Sequence, residues 1–309
     1  MYGILKTAHY LPKNINTNDA VCSNIAGLTP NWIIEKTGIK KRYHVDKETA
    51  SYMAIWVANK LVWDINPRDI GLIIIASFSQ DYLLPPMSCK IHSAISASKD
   101  CQVIDLNVNC VGLITATTLA VNLMYADRNI RYALVIGIEI LSSFVDKSDK
   151  FTAPFFSDGA SGVLIGGVRE DQGLIGSAFC TDSTAYEDVR LKRGGVIEHN
   201  GKETWTQAIT NVPYVLKKLV HNHKLSLKDI DFFIFHQANK VLINYIMDKH
   251  HIPREKTYTN VEEIGNTGAA SIGIALDEAL QRGLIKKGDM LVLAGVGAGF
   301  NFGANLWKM

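Results

Sequence analysis

Cys110, His236 and Asn266 are the residues of this chain whose types and settings could carry nucleophilic chemistry. The stretch Asp229-Ile-Asp-Phe-Phe-Ile-Phe-His236-Gln-Ala-Asn is an apolar run of strand type that ends in a histidine. Ile264-Gly-Asn266-Thr-Gly-Ala-Ala-Ser follows thirty positions after that histidine. Upstream, Gln102-Val-Ile-Asp-Leu-Asn-Val-Asn-Cys110-Val-Gly is another strand-like run, which ends in a cysteine and opens a helix. A thiol with an imidazole and an amide makes a nucleophile with two groups able to hydrogen-bond developing negative charge. A lone cysteine is most often inert packing. Three such groups at strand ends and in a glycine-rich turn are more than packing requires. The N–H groups and dipole of the helix after Cys110 would favour its thiolate.

The elements that must position these groups repeat. Asn66-Pro-Arg-Asp-Ile-Gly-Leu-Ile-Ile-Ile-Ala reads like Ser226-Leu-Lys-Asp-Ile-Asp-Phe-Phe-Ile-Phe-His, at an offset of 160 positions. Arg131-Tyr-Ala-Leu-Val-Ile-Gly137 reads like Asp289-Met-Leu-Val-Leu-Ala-Gly295, at an offset of 158. The helix from 110 to about 126 has its counterpart from about 268 to 282. Self-similarity at a near-constant offset means two copies of one α/β unit. Near-continuous apolar runs (Leu72 to Ala76, Tyr132 to Ile138, Val163 to Val168, Phe232 to Phe235, Met290 to Leu293) read as strands buried on both faces and covered by helices. The two halves are expected to be 1–168, carrying the cysteine, and 169–309, carrying the histidine and asparagine. The joint falls near Val168-Arg-Glu-Asp-Gln-Gly173, and the reactive groups meet where the halves face each other.

With 309 residues and 47% hydrophobic content, the chain can bury a large core. A net charge of +2 gives no bulk argument for nucleic-acid binding. Met1-Tyr-Gly-Ile-Leu-Lys lacks the sections of a signal peptide. The uncharged stretch 110–126 is short for a membrane span and carries Asn and several Thr, so it reads as a buried core helix. Cys22, Cys89, Cys101 and Cys180 show neither CxxC pairing nor metal-ligand spacing, which suits a reduced cytoplasm. His221, His223, His250 and His251 lie among Lys and Asn and read as solvated surface, not as a metal site.

Together these blocks resemble β-ketoacyl-acyl-carrier-protein synthase III, a family of thiolase-fold condensing enzymes. The resemblance rests on Cys110, on His236-Gln-Ala-Asn239 and on Gly265-Asn-Thr-Gly-Ala-Ala-Ser271. It extends to Asn31-Trp-Ile-Ile-Glu-Lys-Thr-Gly-Ile-Lys-Lys-Arg-Tyr43, Ser157-Asp-Gly-Ala-Ser-Gly162 and Gly295-Val-Gly-Ala-Gly-Phe-Asn-Phe-Gly303, and so covers nearly the whole chain. It implies a thiolase-like α/β fold, two similar βαβαβαββ halves packed as an αβαβα layered sandwich. It also implies acylation of Cys110 by an acyl thioester, then decarboxylative Claisen condensation with a malonyl thioester. The oxyanion would be held by the backbone amides of Cys110 and Ala298, where most of the family has glycine. His236 and Asn266 would hydrogen-bond the enolate. No metal or redox cofactor is implied; coenzyme A or phosphopantetheine thioesters are substrates.

Departures from the family pattern concern the rim. Trp32 matches the tryptophan that stacks on the coenzyme A adenine, Asn239 belongs to the same binding set, and Lys36 and Lys150 stand where the family has arginines. Lysine keeps the charge but loses the planar fork. Leu84 takes the position that reaches the partner subunit's acyl pocket, usually Phe. Lys217, Lys218, Lys240 and Lys249 are candidates for one basic surface that would steer an acidic acyl carrier protein. The strand Cys101 to Asn109, read as uncharged and apolar, is expected to pair with its twin in a homodimer. Arg190-Leu-Lys-Arg-Gly-Gly195 has no role readable from sequence. Some blocks, such as Ser79-Gln-Asp-Tyr82, look nearer to secondary-metabolism relatives. An alternative function is transfer of the Cys-bound acyl group to an alcohol or amine without decarboxylation.

Overall fold

Side-chain alternation along the apolar runs decides the layering. In Ile70–Ala76, Leu72, Ile74 and Ala76 belong to one core and Ile73 and Ile75 to another, and all five are buried. Successive side chains of a strand point to opposite faces, so a strand that is apolar throughout must be covered on both. The computed structural model describes residues 1–309 and covers both faces of such strands with helices.

Five strands form the first sheet: β1 (Tyr2–Tyr10), β2 (Ile70–Ala76), β3 (Gln102–Leu106), β4 (Tyr132–Ile140) and β5 (Asp158–Gly167). Their spatial order is β1-β5-β4-β2-β3, with β2 parallel to β3 and β4, and β5 antiparallel to β1 and β4. The second sheet holds β6 (Gly173–Thr181), β7 (Phe232–Phe235), β8 (Met290–Gly297) and β9 (Asn301–Lys308), in the order β7-β8-β9-β6. There β7 and β8 are parallel and the other pairings antiparallel. Reversed, the second order repeats the first, with β6, β9, β8 and β7 standing as β1, β5, β4 and β2 do. The loop 168–172 joins the two sheets.

The repeat is incomplete in one place. The second half has no partner for β3; a single parallel bridge between Phe233 and Thr257 stands there instead. The 3-10 turn Arg254–Lys256, with Pro253 before it, leads into that bridge. The expected βαβαβαββ unit is therefore present in the first half and one strand short in the second.

Helices Ala50–Val62 and Met87–Ile95 cover the outer face of the first sheet, through Val57, Leu61 and Ile91. Helices Gly201–Asn222 and Lys240–Lys249 cover the outer face of the second, through Leu216, Ile243 and Ile246. Between the sheets lie the two related helices, Gly112–Ala126 and Ser271–Gln281, each entered through a 3-10 turn (Asn109–Val111 and Gly268–Ala270). The stretch Asn109–Ala126 is long and apolar enough to cross a membrane by length and composition. Here it serves the central layer, giving Leu113, Ala116, Ala120 and Met124 to the core shared by both sheets. The layers read αβαβα.

Two details of the first sheet differ from the sequence reading. The strand before the nucleophile is shorter than 101–109 and ends at Leu106. It also carries a carboxylate: Asp105 accepts the Met87 and Ser88 N–H groups at 2.7 and 3.0 Å, capping a helix whose N-cap residue, Pro86, gives no side-chain bond.

The central layer is tight because glycines stand at its crossing points. A Cβ on Gly112 would lie 2.8 Å from the Ala76 Cβ, and one on Gly137 would overlap the Ala269 carbonyl oxygen. Gly137→Ala is therefore expected to lower stability by about 1–3 kcal/mol, the range for overpacking a tight core. Urea unfolding checks this; an unchanged midpoint would mean that β4 does not touch the Ala269 backbone.

Candidate active site

The nucleophile is presented by a sharp strand-to-helix connection. After β3, Asn109 takes the left-handed conformation (φ 52°), which asparagine tolerates better than most residues. Cys110 sits in the 3-10 turn that follows, half-buried, and the α-helix starts only at Gly112. The Asn109 Nδ2 donates to the Ala298 carbonyl at 3.3 Å, tying this turn to the β8–β9 turn. A Cβ on Gly297 would stand 3.4 Å from the Cys110 nitrogen. The turns that carry the Cys110 and Ala298 amides are thus neighbours, although they come from different halves.

His236 extends β7, and its N–H donates to the Ala294 carbonyl of β8 at 2.8 Å. Its ring is buried, with Nδ1 2.6 Å from the Ser271 Oγ. A Cβ on Gly295 would meet the His236 Cβ at 3.0 Å and the Val111 Cγ1 at 3.6 Å, so the histidine and the nucleophile turn flank one glycine of β8. Asn266 is held by backbone on both sides. Its N–H donates to the Phe155 carbonyl (2.9 Å), and its carbonyl accepts the Ser157 N–H (2.8 Å). The segment Phe155–Ser157 therefore anchors the asparagine loop. The Asn266 Oδ1 accepts the Gly268 N–H at 2.9 Å, which fixes the amide so that Nδ2 is the free donor. Neither the His236 Nε2 nor the Asn266 Nδ2 has a hydrogen-bond partner within the chain.

The electrostatics of the site differ from the sequence expectation. Burial pushes the Cys110 thiol up to about 12, with the Glu139 carboxylate the next cause, and the Cys110 N–H opposes them. The helix terminus does not yield a resting thiolate. Burial pushes His236 down to about 4, so its imidazole is neutral. Glu139, at the end of β4, is fully buried; burial pushes its carboxyl up to about 8 despite hydrogen bonds from Ser79 (2.6 Å), Phe78 N–H (3.3 Å) and Ser77 (3.4 Å). Its Cγ packs where a Gly268 Cβ would stand, which links it to the asparagine turn. Sequence reasoning missed this group. Its signal was a carboxylate near the end of the otherwise apolar run Tyr132–Ile140.

At the rim, Trp32 is half-buried against the small core of Ile33, Ile39, Ala153 and Val261, beside Phe155 and Val145. Lys36 and Lys150 are exposed, and the Lys150 ammonium lies 5.0 Å from the centre of the Phe151 ring. Asn239 has a structural task in the chain. Its Oδ1 caps the helix Lys240–Lys249 through the Val241 and Leu242 N–H groups (2.8 and 3.2 Å), and its Nδ2 donates to the Lys36 carbonyl (3.0 Å). The proposed lysine surface is divided. Lys240 pairs with Glu262, Lys218 donates to the Phe179 carbonyl (3.0 Å), and Lys249 lies over Tyr245 at the far end of the helix that Lys240 begins. Nine helical steps separate Lys240 from Lys249 by about 13 Å. Lys217 is exposed on Gly201–Asn222. The Arg190–Gly195 segment lies in a hairpin of Val189–Leu191 with Ile197–His199, where Arg190 pairs with Glu187 and Glu198. Leu84 stands 83% exposed, beside an equally exposed Leu83.

Glu139 gives the fold a pH signature. Its carboxyl is raised from the ordinary 4.5 to about 8, so the folded state prefers the neutral acid. The stability it contributes is complete below the ordinary value and is lost as pH rises through about 8. Glu139→Gln, neutral at every pH, is expected to gain stability relative to the natural chain as pH rises from about 5 to about 9. Paired urea titrations measure the difference; a constant gap across that range would show that Glu139 is ionised in the fold.

Comparison with known proteins agrees with this geometry. A family model described as 3-oxoacyl-[acyl-carrier-protein] synthase III matches residues 104–183, and the model of its C-terminal part matches residues 220–309. β-Ketoacyl-[acyl-carrier-protein] synthase III of Aquifex aeolicus (strain VF5) is 32% identical, over 99% of this chain and 98% of its own length. The protein of that name from Vesicomyosocius okutanii is 34% identical, over 98% and 97%. The crystal structure of 3-oxoacyl-[acyl-carrier-protein] synthase III from Aquifex aeolicus VF5 matches with a TM-score of 0.95 at 30% identity, covering 100% of both chains. The priming β-ketosynthase of the R1128 polyketide pathway shares the fold, with a TM-score of 0.92 at 23% identity over 99% of this chain and 96% of its own. With a cysteine, a histidine and an asparagine brought together on these elements, and relatives of this identity along its whole length, this chain belongs to the β-ketoacyl-acyl-carrier-protein synthase III family.

Proposed function

We propose that this enzyme takes an acyl group from a thioester onto Cys110 and condenses it with a malonyl thioester to release a β-ketoacyl thioester and carbon dioxide. The observation that carries the reading is the pair of unpartnered donors, the His236 Nε2 and the Asn266 Nδ2, on segments that adjoin the turn of the half-buried Cys110. In the first step the Cys110 sulfur attacks the acyl carbonyl, and the thiol proton leaves with the departing thiol. The Cys110 and Ala298 amides hold the tetrahedral oxyanion. Donors already fixed in a dry site are worth more there than in water. In the second step the malonyl carboxylate leaves as carbon dioxide, and its electron pair forms an enolate on the thioester. His236 and Asn266 hydrogen-bond the enolate oxygen. A neutral imidazole suits that task, because it donates without placing a cation beside the thioester. The enolate carbon then attacks the acyl-cysteine, and the sulfur of Cys110 leaves as a thiolate that takes up a proton from solvent to restore the thiol.

A neutral Glu139 fits this chemistry, since an ionised carboxylate would oppose negative charge on the sulfur. For the donor, Trp32 with Lys36 and Lys150 supports a loose grip on a nucleotide, and the lysines left unpaired at the surface, Lys217 foremost, support docking of an acidic carrier protein. A homodimer is part of the reading. β3 is hydrogen-bonded on one side only, and Leu83 and Leu84 lie bare nearby. An open strand edge invites pairing with a twin.

Asn266→Ala and His236→Ala are each expected to leave acylation of Cys110 intact and to slow carbon dioxide release from a malonyl thioester about 10²–10³-fold. Intact-mass spectra of the acyl-enzyme and labelled carbon dioxide read the two steps separately. Full turnover onto an alcohol or amine without carbon dioxide would establish the alternative function instead. Light scattering at about micromolar protein is expected to give a dimer; a monomer there would reject the pairing of β3.

A further inference from the structure

The function just proposed uses the Nε2 of His236 as a donor, but an imidazole can carry its single proton on either nitrogen. We propose that Ser271 is a positioning residue for the condensation step, its hydroxyl locking His236 in the tautomer whose proton is on Nε2. The inference rests on that reading of the function and adds a residue to it.

The hydrogen-bond inventory around Ser271 decides the direction of the bond. Its Oγ is 2.6 Å from the His236 Nδ1, and the Gln237 N–H donates to the same oxygen at 3.3 Å. Ser271 is buried, and its hydroxyl has no other partner. If Nδ1 carried the proton, the oxygen would accept two bonds and its own hydrogen would have no acceptor in a buried setting. If the hydroxyl donates to Nδ1, all three groups are satisfied: Gln237 N–H to Oγ, Oγ–H to Nδ1, and a proton left on Nε2. An unmet buried donor disfavours the first arrangement by about tenfold or more.

The partners of this bond are themselves held. The Gln237 side chain donates to the Phe235 carbonyl at 2.7 Å and accepts the Asn260 N–H at 3.1 Å. His236 is fixed by its N–H bond to Ala294. Ser271 opens the central helix Ser271–Gln281, two residues before Gly273, where a Cβ would overlap the Ser161 hydroxyl. The choice of a hydroxyl also matters. A carboxylate at Nδ1 would take the proton there and favour the imidazolium, making the ring a base. A donating hydroxyl does the reverse and leaves a neutral ring with an outward N–H. His236 is thereby set to stabilise an oxyanion and not to take the Cys110 proton.

Ser271→Ala and Ser271→Thr in the full-length chain test the lock, with ¹⁵N-labelled histidine. The natural chain is expected to show His236 protonated on Nε2 at neutral pH. Ser271→Ala should show a mixture of tautomers. Its kcat for carbon dioxide release should fall about tenfold or more, with KM unchanged and acylation of Cys110 near normal, since a histidine in the wrong tautomer loses its catalytic contact. Ser271→Thr keeps the hydroxyl and should restore both the tautomer and the rate. A natural chain protonated on Nδ1, or a Ser271→Ala variant with unchanged tautomer and rate, would overturn the proposal. A chain that shows the Nε2 tautomer yet never decarboxylates a malonyl thioester would instead remove the condensing function and leave the tautomer lock standing.

Discussion

The site is assembled from both halves of the chain, so its geometry depends on how closely the two related helices and their entering turns approach in the central layer. That approach is set by the absence of side chains. Gly137 lies against the Ala269 carbonyl, Gly112 between Ala76 and Ala269, and Gly295 between His236 and Val111. Any side chain at these points would push the halves apart and separate the cysteine turn from the histidine and asparagine. Close packing transmits such shifts because the interior has little free volume. The same glycines that make the layer compact therefore fix the distances on which catalysis depends.

Burial follows from this packing and governs the charges. Burial raises Cys110 and Glu139 and lowers His236, and all three changes favour the neutral form. A neutral site offers hydrogen-bond donors to charge that arises during the reaction, without fixed ions to repel or trap it. Its polar groups are oriented by partners that carry no charge: a serine for His236, a backbone N–H for Asn266, and serines for Glu139. The segment Phe155–Ser157, remote in sequence from Asn266, anchors the asparagine loop through two backbone bonds, one from Ser157 and one to Phe155. Strand β5, which follows it, holds the turn that faces Gly137, through the Ser161 bond to the Ala270 carbonyl at 2.8 Å.

At the rim the structure redistributes roles. Asn239 is committed to capping a helix and tying it to Lys36, and Lys240 answers Glu262. The bond to Lys36 holds the helix Lys240–Lys249 against the helix that carries Trp32 and Lys36, and the Glu262 pair ties it to the segment Val261–Ile264. Groups classed together by charge in the sequence are thus split between structure and surface.

Much of this protein is determined locally. The strand-type runs, the repeat at offsets near 160, and Cys110 and His236 at strand ends are patterns of neighbouring residues, and alternation or composition reveals them. Other features needed the tertiary structure. The third strand of the second half is reduced to one bridge between Phe233 and Thr257, which the repeat in the sequence does not reveal. Glu139 enters the site only because β4 ends against Gly268, more than a hundred residues away. Ser271 meets His236 across thirty-five positions, through a helix whose rotation is set by packing. Periodicity says which face of an element is buried. It does not say which polar group will stand opposite once two elements meet, and that choice decides the protonation states on which the chemistry rests.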